Sequence, residues 1–138
     1  MEKSPPLMRL VVAKSICAQE FGQDSVPPLH IEPLKRSCMI ELASPIKGEG
    51  LPKGSKLLKV YATTAEGARR IVHLMATAED TLFLLFYRDK NDAAGANITI
   101  KNSVFRKQLH KHLRLLEKDL ESGTFEVWDE PSRDPART

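Results

Sequence analysis

Apolar and polar positions along this chain follow two distinct periods. From Lys56 to Lys90 the stretch "KLLKVYATTAEGARRIVHLMATAEDTLFLLFYRDK" holds three apolar runs separated by the short polar gaps "TAEG" and "AED". Connections of that length join only antiparallel neighbours, so the runs predict a meander of strands near 56–63, 68–77 and 81–88. Side chains alternate across a strand, which predicts Leu82, Leu84 and Phe86 on one face and Phe83, Leu85 and Tyr87 on the other. A strand apolar on both faces belongs in the middle of a sheet.

A helical period takes over after the turn-forming "DKNDAAGAN". Leu109, Leu113, Leu116 and Leu120 recur at helix spacing, and Lys107, Lys111, Arg114 and Lys118 repeat it two residues earlier. A two-residue offset is ~200° around a helix, so the leucines are expected inward and the cations outward. Asn102 or Ser103 can cap this helix, which runs to Glu121 or Ser122, and Gly123 supplies a left-handed stop.

The first third is less regular. "MEKSPP" reads as a loose lead-in, "LMRLVVAKS" as a strand, Ser15 to Phe21 as a short helix, and residues 22–33 as loop because of their Gly, Pro and Asp content. Leu34, Cys38 and Leu42 then predict a helix over 31–45, ended by Pro45, since the residue before proline avoids the helical region. "TFEVWD" alternates and predicts a short edge strand, and "EPSRDPART" a disordered tail. The expected fold class is α+β: a small antiparallel sheet, a three-stranded meander extended by N- and C-terminal strands and packed by helices. One domain is expected over 1–130, with the tail at 131–138.

Composition narrows the function classes. No apolar run approaches the ~18 residues of a membrane helix, and the N-terminus carries no signal-peptide pattern, so a water-soluble, cytoplasmic chain without a membrane partner is expected. Cys17 and Cys38, with no CxxC neighbour, read as small buried hydrophobes. Phosphate-loop, GxGxxG, HExxH and GxSxG patterns are all missing. His110 and His112 point ~200° apart on a helix, so neither a metal site nor another cofactor is expected. Net charge is +3 with a pI near 8.9, and the cations gather in the meander: Lys53, Lys56, Lys59, Arg69, Arg70, Arg88 and Lys90.

The order "SPIKGEG", "GSKLLKVYA", "GARRIVHLM" and "LFLLFYRDKND" resembles the sheet of the RelE/ParE superfamily, bacterial toxins of type II toxin-antitoxin pairs. The matching elements are Pro45 with Gly48, Lys56 with Lys59, Gly67 to Val72, and Tyr87 with Lys90 and Asn91, with the following helix a common extension in the HigB-like branch. The chain departs from the family pattern at "TTAEG", where many members carry a Lys/Arg/Gly-rich loop.

The resemblance implies a RelE/ParE-like fold and metal-independent cleavage of mRNA on the ribosome, in which a ribose 2′-hydroxyl attacks the neighbouring phosphate. Cations would stabilise the charge growing on that phosphate. Carried over by position, Arg70 would clamp it, Lys56 and Lys59 would add charge with one of them taking a proton, Tyr87 would stack on a base or relay a proton, and Arg88 or Lys90 would serve the leaving group. Lys56, Arg69 and Lys90, with Lys107, Lys111 and Arg114 of the helix, would hold mRNA and ribosomal RNA. The implied protein partner is a cognate antitoxin, in a toxin-antitoxin hetero-oligomer.

Blander readings stand beside these. Strand lysines also guard exposed edges, Tyr87 can be an ordinary strand aromatic, His73 a packed core histidine, and the helix cations a solvated face. Two other functions share the pattern: a non-catalytic ParE-like toxin that binds DNA gyrase, and an inactive RNA-binding relative.

Overall fold

Short polar gaps between apolar runs leave the chain no choice but to double back, and it does so between residues 55 and 89. The computed structural model describes residues 9–39 and 42–128. Strand β1 (Arg9–Ala13) leads into helices α1 (Lys14–Phe21) and α2 (Pro28–Arg36). Strands β2 (Ser44–Ile46), β3 (Ser55–Thr64), β4 (Gly67–Ala76) and β5 (Thr81–Asp89) follow, then α3 (Ser103–Ser122) and β6 (Phe125–Trp128). They form one sheet in the order β2-β3-β4-β5-β1-β6, antiparallel except where β1 runs parallel to β5. The fold class is therefore α+β with a mostly antiparallel open sheet. The expected lead-in and tail lie outside the described residues.

Helices pack on both faces of this sheet. On one face α3 lies over β5, where Phe86 meets the rings of Phe105 and His112. On the other, α2 closes over β4 and β5 through Ser37 Oγ to His73 Nε2 (2.9 Å) and His30 Nδ1 to Tyr87 Oη (2.9 Å). We refer to these as the α3 face and the α2 face.

Two expectations for the first third are corrected. Residues 22–33 are not all loop, because α2 starts at Pro28, where a proline's missing N–H costs the first turn nothing. The helix expected over 31–45 ends at Arg36 instead, with Ser37 Oγ turned back onto the Leu34 carbonyl at 2.6 Å. Pro45 does not stop a helix. It sits in β2, an edge strand, where a residue without an N–H is tolerated.

The face assignment along β5 is also corrected. Pairing runs Val72 with Phe86 and then His73 with Leu84, so Leu85 is an extra residue in a bulge. Parity flips there. Leu82 and Leu84 share the α2 face with Tyr87, whereas Phe83, Phe86 and Arg88 share the α3 face.

Helix α3 begins and ends as its sequence predicts, with Asn102 Oδ1 accepting from the Val104 N–H (3.0 Å) and Gly123 at φ 74°. Its inward face is not the leucine stripe. The buried residues are Phe105, Leu109, His112, Leu116 and Asp119, a stripe rotated roughly 50° from the four leucines on a 100°-per-residue wheel. Asp119 is buried because it caps a different helix: its carboxylate accepts from Ser15 N (2.7 Å) and Ser15 Oγ (3.0 Å) at the start of α1, while Lys14 N donates to the Thr124 carbonyl (3.1 Å). Leu113 and Leu120 are pushed to the flank, and Leu120 is 36% exposed.

His73 is fully buried in the β4 core, and Ser37 Oγ, already donating to Leu34, accepts from its Nε2–H. Burial pushes its pKa down from 6.5 to about 4, partly offset by Ser37. The unfolded chain therefore binds a proton that the folded chain refuses between those values. Unfolding free energy should be at its plateau above pH 6.5 and fall towards pH 4, by up to ~1.4 kcal/mol per pH unit for one proton. Urea titrations across this range should show the slope in the wild type and lose most of it in His73→Leu; an unchanged slope in the variant would remove His73 as its source.

Candidate nucleic-acid interface

Strand register decides which of the sequence-predicted cations can act together. Lys59 pairs with Val72, Tyr61 with Arg70, and Arg70 with Arg88, so Lys59, Tyr61, Arg70 and Arg88 all project from the α3 face. Helix α3 covers β5 and stops short of this end of β3 and β4, leaving Tyr61 59% exposed. Lys59 Nζ and Arg70 Cζ each lie 5.5 Å from the centre of the Tyr61 ring. An exposed tyrosine with two cations against its ring is the result.

Arg70 is held from the far side. Its Nη1 donates to the carbonyls of Gly95 and Ala96, both at 2.7 Å, in the loop that follows β5. That loop can approach because residue 95 is glycine: a Cβ there would lie 2.5 Å from the Asp89 carbonyl oxygen and 2.8 Å from Arg88 Cβ. Asp92 shapes the loop by accepting from the N–H groups of Ala94 (2.9 Å) and Gly95 (3.0 Å).

Arg88 shares the face and is already occupied. Its Nε and Nη2 grip the Glu20 carboxylate at 2.6 and 2.8 Å, Nη1 reaches Asp92 at 2.8 Å, and Nη2 also reaches Gln108 at 2.9 Å. Glu20 has no exposed side-chain surface, and it accepts besides from Tyr87 N and His112 Nε2, both at 2.8 Å. Burial raises the pKa of Glu20, but hydrogen bonds from Arg88 and His112 outweigh it, and the net shift is downward. Burial likewise lowers Arg88, and Glu20 and Asp92 more than reverse it, so the guanidinium stays charged. Arg88, which the resemblance sets at the leaving group, is held here in an ion-pair network.

Tyr87, Arg69 and Lys56 fall on the α2 face, away from Arg70, because each is one residue out of phase with it across the register. Tyr87 is 4% exposed, bonded to His30, and burial pushes its hydroxyl up to about 12. Arg69 is taken up by Glu66 at 3.4 Å. Lys90 is exposed in the turn after β5. On α3, Lys107 faces solvent, Lys111 donates to Gln19 of α1 at 3.1 Å, and Arg114 lines a groove on the opposite flank. The expected ten-residue surface is therefore not one site: the register gathers Lys59 and Arg70, with Arg88 half-buried beside them.

Tyr61 is the functional candidate that sequence reading missed. The signal was present, because Tyr61 stands two residues from Lys59 and so shares its face. Among the described residues no three His, Cys, Asp or Glu side chains converge to hold a metal ion. No protein-family model, curated protein or solved structure matches this chain.

The Glu20–Arg88 pair gives a direct test of what holds this end of the sheet. Glu20→Ala leaves Arg88 charged and without its main buried partner, and should cost roughly 3–5 kcal/mol in urea unfolding at pH 7. Because the Glu20 pKa is lowered on folding, its contribution is fully present above 4.5 and is lost as pH falls through the depressed value. A loss below ~1 kcal/mol would show that α1 and β5 are held by apolar packing alone.

Proposed function

We propose that this protein binds single-stranded RNA on the Lys59–Tyr61–Arg70 surface and acts there as a RelE/ParE-like toxin, a metal-independent endoribonuclease of mRNA on the ribosome. The observation that carries the binding step is the exposed Tyr61 ring with two cations, Lys59 and Arg70, each 5.5 Å from its centre. A nucleobase stacks on such a ring in any sequence context, and the phosphates on either side meet positive charge. Duplex RNA offers no free base face to this arrangement.

The nuclease step rests on the resemblance, supported by the element order: helices, a basic strand, the Gly-Ala-Arg strand, an apolar strand and a closing helix. In that reading Arg70, fixed by two loop carbonyls, holds the scissile phosphate, and Lys59 stabilises its developing charge. Tyr61 positions the base, taking the stacking part that the sequence had suggested for Tyr87. The cognate antitoxin would cover the same surface.

Fluorescence anisotropy with a short labelled single-stranded RNA tests binding. Tyr61→Ala should weaken it about 5- to 100-fold, the worth of one stacked base. Lys59→Ala should lower the slope of log affinity against log salt by ~0.7, the release expected for one phosphate contact on a single strand. Induced expression in a bacterial host, with primer extension on abundant transcripts, tests cleavage. New cuts inside translated regions that vanish in a folded Arg70→Ala protein support the nuclease. RNA binding without cuts would leave a binding module, and wild-type affinity in Tyr61→Ala would overturn the surface itself.

A further inference from the structure

The rotation of α3 that buries Asp119 and His112 leaves an apolar groove on the helix's other flank. Leu113, Leu116 and Leu120 form one wall, and Leu74, Ala76 and Phe83 of the sheet form the other, around about 800 Å³. Its rim is polarised along α3. Along the helix His110, which lies 3.8 Å from Glu49, and Arg114 come first, and Glu117 and Glu121 follow.

We propose that this groove is a two-fold interface between copies of this chain. A closed dimer requires a surface that is complementary to itself, and a helix edge that carries Arg114 ahead of Glu117 and Glu121 meets that requirement when a two-fold axis crosses its middle. Leu113 and Leu120 are seven residues apart, roughly 10.5 Å along the helix. Packed antiparallel about that axis, Leu113 of one copy lies against the partner subunit's Leu120, and the reverse contact is made on the other side. Arg114 then reaches the partner subunit's Glu117 and Glu121. Glu117 of each copy comes near the axis, where Arg114 of the opposite copy supplies the compensating charge.

The apolar component is the exposed part of a leucine stripe too wide for its own core. An α3 of 20 residues is about 30 Å long, the scale of a helix pair that can bury a standard interface. Lys59 and Tyr61 lie further along β3 than Ser55, the strand's contribution to the groove. The dimer surface is thus separate from the RNA surface and stands without it.

Sedimentation velocity of the full chain over a concentration series reads the outcome. The wild type should sediment at twice its 15.5 kDa mass at micromolar concentration. Leu120→Glu, at an exposed position, should be a folded monomer by circular dichroism and sedimentation. Arg114→Glu alone, and Glu117→Arg with Glu121→Arg, should each weaken self-association at least 10-fold, since each pairs like with like across the axis. Mixing the two charge-reversed proteins should restore a dimer, because every cross-axis contact then joins opposite signs. A monomeric wild type, a dimeric Leu120→Glu protein, or a mixture that stays monomeric would each overturn the interface.

Discussion

The ion pair between Glu20 and Arg88 is the interaction on which this end of the molecule depends. Two charges taken out of water lose several kcal/mol of hydration each, and they stay buried only where every donor and lone pair is met. Here Glu20 accepts from Arg88, from the Tyr87 backbone and from His112, while Arg88 also reaches Asp92 and Gln108. A helix, a strand, a second helix and a loop are thereby tied to one carboxylate. The same contacts make the cross-strand neighbours Arg70 and Arg88 compatible, because two carboxylates neutralise one guanidinium and loop carbonyls hold the other.

The arrangement at the surface follows from that buried one. Asp92, fixed by Arg88, folds the loop whose carbonyls hold Arg70 beside Tyr61. Arg88, one of the cations to which the resemblance gives a catalytic part, thus supports the position of Arg70. Such a site is rigid behind and open in front, which suits a ligand that brings its own flat ring and charged backbone.

Helix α3 shows how polar contacts can outrank an apolar stripe in setting a helix's roll. Leaving the Lys14 and Ser15 N–H groups unmet at a buried helix start would cost more than exposing part of a leucine. Asp119 meets Ser15, His112 meets Glu20, and the helix turns to bring both inward. Leu113 and Leu120 are displaced to the flank, where they build the groove.

Strand and helix existence was legible in the sequence wherever a period ran unbroken: the meander from Ser55 to Asp89, α3 with its Asn102 and Gly123 ends, and the strands at Leu10 and Phe125. Those features are local, set by backbone alternation, capping and short connections. The sequence misled where proline was read as loop or as a helix stop, since Pro28 opens a helix and Pro45 lies at a sheet edge. Tertiary structure alone decided which cations meet. A bulge at Leu85 changes the facing of β5 without any mark in the hydrophobic pattern, and Glu20 finds Arg88 across 68 residues of chain. Composition and spacing determined that this protein carries a cationic sheet; long-range register and the cost of burying charge decided that Lys59, Tyr61 and Arg70 are the part of it gathered on one open face.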